Sequence, residues 1–251
     1  MARQKKLRRG IYLLPTLFTI GNLLCGFTAI VMSFRGDLRR AAIFIIVAGV
    51  LDLLDGRIAR MTGTTSEFGS EFDSLADIVS FGVSPAMLAY AWVLEPFGRV
   101  GWLVSFMFVV CAAMRLARYN IQAHPGEKRH FVGLSSPVAA GSMAAVAFAF
   151  PETPVTGEPA ALLLLLLIPT LALLMVSRFR YRSFKDIGLR DRRSYMYVLP
   201  LAVMMVGILI WPRWVMLGIA VVYLVSAPVM ATTRLFSRTE SDRDISSESA
   251  R

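Results

Sequence analysis

Apolar runs long enough to cross a bilayer recur along most of this chain, broken by short polar and basic stretches. A membrane-spanning helix needs about 20 largely apolar residues. Eight segments meet that requirement, at roughly 11–33, 39–57, 71–93, 98–118, 131–150, 159–177, 194–211 and 213–232. The third and fourth carry more polar residues than the rest. The last two are parted only by Trp211, Pro212, Arg213 and Trp214, which suits a tight turn among interfacial aromatics. The pattern predicts an all-α, polytopic membrane protein of about eight helices.

Composition agrees. Of 251 residues 56% are hydrophobic, and the mean hydropathy is +0.59, too oily for a soluble domain of ordinary make-up. A basic segment at 1–10 precedes the transmembrane domain expected over 11–233. A polar tail at 234–251, rich in Ser, Arg, Asp and Glu, reads as disordered. The first apolar run is longer than a signal-peptide core and lacks a small-residue cleavage site, so a retained helix is expected. Neither an internal repeat nor a second domain is evident. Cys25 and Cys111 fall inside apolar runs without metal-ligand spacing and read as packing residues.

Charge supplies the orientation. With both termini on one side, that side collects 22 of the 27 Lys and Arg residues, leaving Arg35, Arg39, Arg40, Arg99 and Arg213 opposite. Basic residues favour the cytoplasmic side, so both termini are expected there. The Arg35–Arg40 cluster fits this least well. A net charge of +10 would by itself suit nucleic acid. Here, however, the cations sit in short loops beside apolar helices, where they suit anionic headgroups and topology. No nucleic-acid partner is expected.

One polar stretch stands out at the predicted cytoplasmic ends of helices 2 and 3. Asp52, Asp55, Gly56, Ala59, Arg60, Gly69, Asp73 and Asp77 place four carboxylates within 26 residues of an oily chain. Ionisable groups at membrane depth are costly and mark functional sites. Residues three and four apart share a helix face, so Asp52, Asp55 and Ala59 form one stripe and Gly69, Asp73 and Asp77 another. If the chain turns back between Arg60 and Gly69, the stripes face each other and four oxygen donors converge. Such a donor set suits Mg2+ or Mn2+ bound together with a substrate phosphate. Gly56, Ala59 and Gly69 add no bulk, so a large ligand can approach the backbone.

The eight positions match DxxDGxxARx8GxxxDxxxD, and the chain thereby resembles the CDP-alcohol phosphotransferases. The likeness implies a six-helix core, two divalent cations and a CDP-linked lipid substrate. It implies that Asp52 and Asp73 bridge both ions, with Asp55 completing one site and Asp77 the other. Asp77 would also be the catalytic base. Gly56, Ala59, Arg60, Gly69 and Ser66 would hold the CDP moiety. On helix 1, the Thr19 hydroxyl can bond its own backbone, whereas Asn22 needs a partner if buried. Asn22 reads either as a link between helices or as a nucleotide contact. The resemblance favours the second, and it adds Thr19 and Asn22 to the CDP-diacylglycerol site.

Three further polar islands lie on the same side: Arg115-Leu-Ala-Arg118-Tyr119-Asn120, Phe131-Val-Gly133-Leu-Ser135-Ser136-Pro137, and Ser177-x3-Tyr181-x-Ser183-Phe184-Lys185. Singly, each reads as a snorkelling basic belt. Together with Phe72–Asp77 (FDSLAD) they resemble the membrane-embedded phosphatidylserine synthases of bacteria and archaea, over about residues 10–190. Ser135 stands where Pro is usual in that pattern. The resemblance implies transfer of a phosphatidyl group from CDP-diacylglycerol to L-serine, giving phosphatidylserine and CMP. It also suggests a homodimer in the bacterial inner membrane with its site facing the cytoplasm. For the acceptor, Arg118 or Lys185 would pair with the serine carboxylate and Asn120 or Ser136 with its amine, with Arg115 and Arg129 as substitutes. The same chemistry with glycerol 3-phosphate, an inositol phosphate or choline is the nearest alternative. An ion-coupled transporter is a distant one, since it would want carboxylates at mid-bilayer and broken helices in repeated halves.

Overall fold

The structure, a computed structural model, describes residues 2–63, 66–121, 133–152, 159–177, 207 and 210–222. These residues form helices and no strand. The helices are α1 (Ala2–Phe34), α2 (Leu38–Thr62), α3 (Glu67–Phe97), α4 (Arg99–Ile121), α5 (Ser136–Ala149), α6 (Pro159–Val176) and α7 (Pro212–Val222). By length and composition, Pro15–Phe34 within α1, all of α3 and all of α4 can each cross a membrane. The architecture is that of a polytopic helical membrane protein. Most of the span expected at 194–211, the whole tail at 234–251, and Arg129 and Lys185 lie outside the described residues.

The chain divides into two compact units, residues 1–127 with 134–176, and residues 128–133 with 177–251. The first holds α1 to α6 and all four aspartates. In the second, α7 follows Trp211, whose N–H donates to the Gly207 carbonyl at 2.8 Å.

Helix ends follow local chemistry. The first helix begins at Ala2 rather than near residue 11, because Arg, Lys, Gln and Leu are good helix formers whatever their polarity. Asp37 caps α2 by accepting from the Arg40 N–H at 3.1 Å, and its carboxylate also pairs with the Arg40 guanidinium at 3.3 Å. Gly63, at φ 63°, ends α2 in the left-handed conformation that glycine adopts without strain. Ser66 opens α3, its Oγ accepting from the Gly69 N–H at 3.0 Å.

Small residues hold the first unit together. Ala29, Ala41, Ala42 and Ala48 are fully buried, as are Ala139, Ala140 and Ala144 of α5, which packs on α2. Without a hydrophobic driving force between helices in lipid, close backbone approach carries association. Large apolar side chains such as Leu24, Leu53, Trp102 and Phe106 point outwards instead, as lipid-facing residues should.

The α1–α3 contact is close. Within α3 the backbone widens to a π-helix over Ile78–Val83, just after Asp77 and before Pro85. The Ser80 hydroxyl there donates to the Asn22 carbonyl at 3.0 Å, and that of Ser84 to the Gly26 carbonyl at 2.6 Å. A Cβ on Gly26 would collide with the Ser80 hydroxyl and come within 2.8 Å of Ser80 Cα. Gly141 in α5, by contrast, has nothing within 4 Å of such a Cβ. Gly26→Ala should therefore lower the unfolding midpoint in detergent, by an overpacking cost of about 1–3 kcal/mol. Gly141→Ala should leave it unchanged or raise it, and a thermal melt of the two variants checks the contrast.

Candidate active site

Three neighbouring helices build the site. The last turns of α2 carry Asp52, Asp55, Gly56, Ala59 and Arg60; the first turns of α3 carry Gly69, Asp73 and Asp77; α1 lies against both. The Gly63 cap and the Ser66 cap bracket a short turn, so the two acidic stripes meet near one level. Asp52, Asp55 and Asp73 each offer an oxygen, and these oxygens all lie within 4.8 Å of one another. Asp77 stands outside that trio, beside Asp52, with its Oδ1 accepting from Asn22 Nδ2 at 3.3 Å.

Such a cluster is electrostatically expensive. When ionised, two carboxylates at that separation repel by about 3–4 kcal/mol at an effective dielectric constant near 20. Some compensation comes from the protein. Thr19 Oγ1 donates to Asp55 Oδ2 at 3.1 Å, and Arg115 lies close enough to Asp52 to act on its charge. Yet Asp73 Oδ1 is buried with no hydrogen-bond partner among the described residues. Three carboxylates around one point, one of them with an unanswered oxygen, fit a hard divalent cation. Asp52, Asp55 and Asp73 can hold a metal ion.

Beside the trio opens a cleft of ≈ 190 Å³, into which Asp55 and Asp73 face. Thr19, Gly56, Ala59, Arg60, Ser66 and Gly69 all line it. A Cβ on Gly56 would meet nothing within 4 Å, so the absence of a side chain there widens the cleft. Gly69 has a local reason as well, since its Cβ would sit 3.0 Å from the capping Ser66 hydroxyl. Arg60 is exposed and folds back on its own helix, Nε donating to the Gly56 carbonyl at 2.7 Å. Asn22 is placed differently from the other nucleotide-side residues. It is fully buried between α1 and α3 and is absent from the cleft wall. Thr16, Ser70 and Phe72 line the cleft too. Phe72 opens the FDSLAD stretch, whereas the signal of Thr16 and Ser70 in the sequence was only their position, three residues from Thr19 and next to Gly69.

The acceptor-side candidates separate. Arg115 Nη1 donates to Ser136 Oγ at 2.8 Å, joining the end of α4 to the start of α5. Asn120 Nδ2 donates to Ser74 Oγ at 3.0 Å, tying α4 to α3. Arg118 instead reaches the carbonyl of Val176 at the end of α6, at 3.4 Å, a favourable place for a cation at a helix C-terminus. Of the two arginines, Arg115 is the one beside the aspartates. Cys25 and Cys111 are free thiols on α1 and α4.

Residues 12–181 match the CDP-alcohol phosphatidyltransferase family. The chain is 39% identical over 177 residues to a CDP-diacylglycerol–serine O-phosphatidyltransferase of Helicobacter pylori, covering 70% of this chain and 75% of that protein. It is 35% identical over 174 residues to the Bacillus subtilis protein of the same name, covering 68% and 91%. An archaetidylserine synthase of Methanothermobacter thermautotrophicus is 34% identical over 190 residues, covering 75% and 77%.

The clustered carboxylates carry a prediction about stability. Mn2+ at about a hundred times its dissociation constant should stabilise the folded protein by about 2.7 kcal/mol, seen as a higher unfolding midpoint. Asp55→Asn and Asp73→Asn should lose most of that rise, and a melt with and without Mn2+ checks it.

Proposed function

We propose that the chain, which belongs to the CDP-alcohol phosphatidyltransferase family, transfers the phosphatidyl group of CDP-diacylglycerol to L-serine, giving phosphatidylserine and CMP. The observation that carries this reading is the convergence of the α2 and α3 carboxylates on a cleft lined by the motif's small and basic residues. Names borne by relatives at 34–39% identity support serine as the acceptor.

Each residue then has a task. Gly56 and Gly69 leave room for the CDP moiety, and Arg60 and Ser66 contact it from the cleft wall. Asp77 takes the proton from the serine hydroxyl as that oxygen attacks the β-phosphorus. The bond from that phosphorus to the bridging oxygen breaks, and CMP leaves with the electron pair, next to Arg60. A carboxylate is a weak base for an alcohol, so orientation and local positive charge must lower the barrier. Two divalent cations, Mg2+ or Mn2+, held by Asp52, Asp55, Asp73 and Asp77, would supply that charge to the diphosphate.

On the acceptor side, Arg115, steadied by Ser136 and next to Asp52, is among the described residues the cation best placed for the serine carboxylate. Asn120 is close enough in sequence and space to contribute to the amine. Arg118, turned to the end of α6, is a secondary candidate, and Lys185, outside the described residues, keeps its place as an alternative. The proposed reaction runs at the cytoplasmic edge of a bacterial inner membrane, the side favoured by 22 of the 27 basic residues, with both acyl chains still in lipid, and the family resemblance favours a homodimer. A phosphorylated acceptor is the second reading, favoured by the seven basic residues at 178–193.

CMP release by purified protein with CDP-diacylglycerol, Mn2+ and a panel of acceptors tests the proposal. Release should depend on serine and yield phosphatidylserine. Release with glycerol 3-phosphate or an inositol phosphate instead would keep the acidic centre and discard the acceptor. Asp77→Asn should lower kcat by about 10²–10⁴-fold. Arg115→Gln should raise the KM for serine about tenfold or more, the size expected for a lost charged hydrogen bond, and leave the KM for CDP-diacylglycerol near its original value. A rise in the latter alone would move Arg115 to the nucleotide side.

A further inference from the structure

Helix α1 contributes no carboxylate to the site, yet it touches carboxylates from both helices that do. Thr19 and Asn22 stand three residues apart on one face of it. From there Thr19 Oγ1 reaches Asp55 Oδ2 on α2 at 3.1 Å, and Asn22 Nδ2 reaches Asp77 Oδ1 on α3 at 3.3 Å. We infer that Thr19 and Asn22 are positioning residues: each holds one oxygen of one aspartate, so that the other oxygen is presented to the ligand. This rests on the reading of the aspartates as the cation-holding and catalytic centre.

Thr19 lines the cleft as well as touching Asp55, whereas Asn22 has little besides Asp77 to meet. Asn22 is fully buried and Thr19 is 5% exposed. Asn22 does not face the cleft, so it is out of reach of a nucleotide lying there. Its Oδ1 has no partner among the described residues. An apolar side chain there would leave no unmet polar atom, and the amide is the worse choice unless its Asp77 bond matters. The backbone at Asn22 is held as well, because Ser80 Oγ donates to its main-chain carbonyl at 3.0 Å. That bond fixes α1 against the π-helical turn that follows Asp77. Thr19 has an alternative acceptor, the Pro15 carbonyl in its own helix at 3.1 Å. One hydroxyl proton is shared between the two acceptors, and valine has nearly the shape of threonine, so Thr19→Val frees Asp55 with little change in packing. Donors of this kind behind metal-holding carboxylates set ligand orientation, and their loss typically costs 10–100-fold in metal affinity or activity.

The test compares the wild-type protein with Thr19→Val, Thr19→Ser and Asn22→Leu in lipid nanodiscs. Three quantities are read: Mn2+ binding from the free-ion electron paramagnetic resonance signal, the unfolding midpoint, and kcat and KM for CDP-diacylglycerol. Thr19→Val and Asn22→Leu should bind Mn2+ about 10–100-fold more weakly. They should lose kcat while the KM for CDP-diacylglycerol stays within about threefold. Thr19→Ser, which keeps the hydroxyl, should restore both. Wild-type Mn2+ affinity and kcat in Thr19→Val, with only the midpoint lowered, would reduce the contact to helix packing and overturn the inference. A rise in KM alone would overturn it in favour of a nucleotide contact. If Asn22→Leu fails to fold, the Val and Ser pair at 19 decides. Mn2+ binding is read without an acceptor. A wild-type protein that binds Mn2+ but releases no CMP would therefore sink the proposed reaction and leave the positioning inference standing on its own measurement.

Discussion

Carboxylates packed into an apolar helical bundle are tolerable only where something other than bulk water answers their charge. That constraint shapes the first unit of this protein. Asp52, Asp55 and Asp73 crowd within 4.8 Å, and each neighbouring element responds. Helix α1 brings a hydroxyl and an amide. Helix α4 brings Arg115, fastened to α5 through Ser136. The α2–α3 turn is short and capped at both ends, which keeps the two stripes level. The close approach at Gly26 lets α1 come near enough to α3 for an Asn side chain to span the gap. A polar centre of this kind needs a rigid small-residue scaffold, because a shift of one ångström would leave a buried charge without its partner.

Much of this was legible in the residue pattern, for a geometrical reason. Spacings of three and four fix which side chains share a helix face before any packing is known, so the two acidic stripes followed from the intervals between Asp52, Asp55, Asp73 and Asp77. The reversal between Arg60 and Gly69 was readable for the same reason, as only a turn there lets the stripes meet. Helix ends were less legible, since apolarity marks where lipid begins and says little about where hydrogen bonding stops. Hence α1 runs from Ala2 although its apolar stretch starts later.

Partner choice was the least visible property. Thr19 has an acceptor in its own helix and another in α2, and only the crossing of α1 and α2 decides that both are used. Arg115 and Arg118 lie on nearly the same face of α4, one turn apart. One meets Ser136 and the acidic centre, and the other meets the end of α6. Nothing in either residue's neighbours along the chain distinguishes them; the seating of α5 and α6 does. The π-helical turn of α3 likewise has no periodic signature; it lies just ahead of Pro85 and against α1.

The order of these parts along the chain bears on biogenesis. Synthesis proceeds from the N-terminus, and structure accumulates in that direction. Thr19 and Asn22 are therefore made, on a helix long and apolar enough to cross a bilayer, before any of the four aspartates leaves the ribosome. The acids then arrive as one hairpin, α2 and α3 joined by the four residues 63–66, and find hydrogen-bond donors already resident at their depth. Insertion of the most costly segment is thereby assisted by the segment that precedes it.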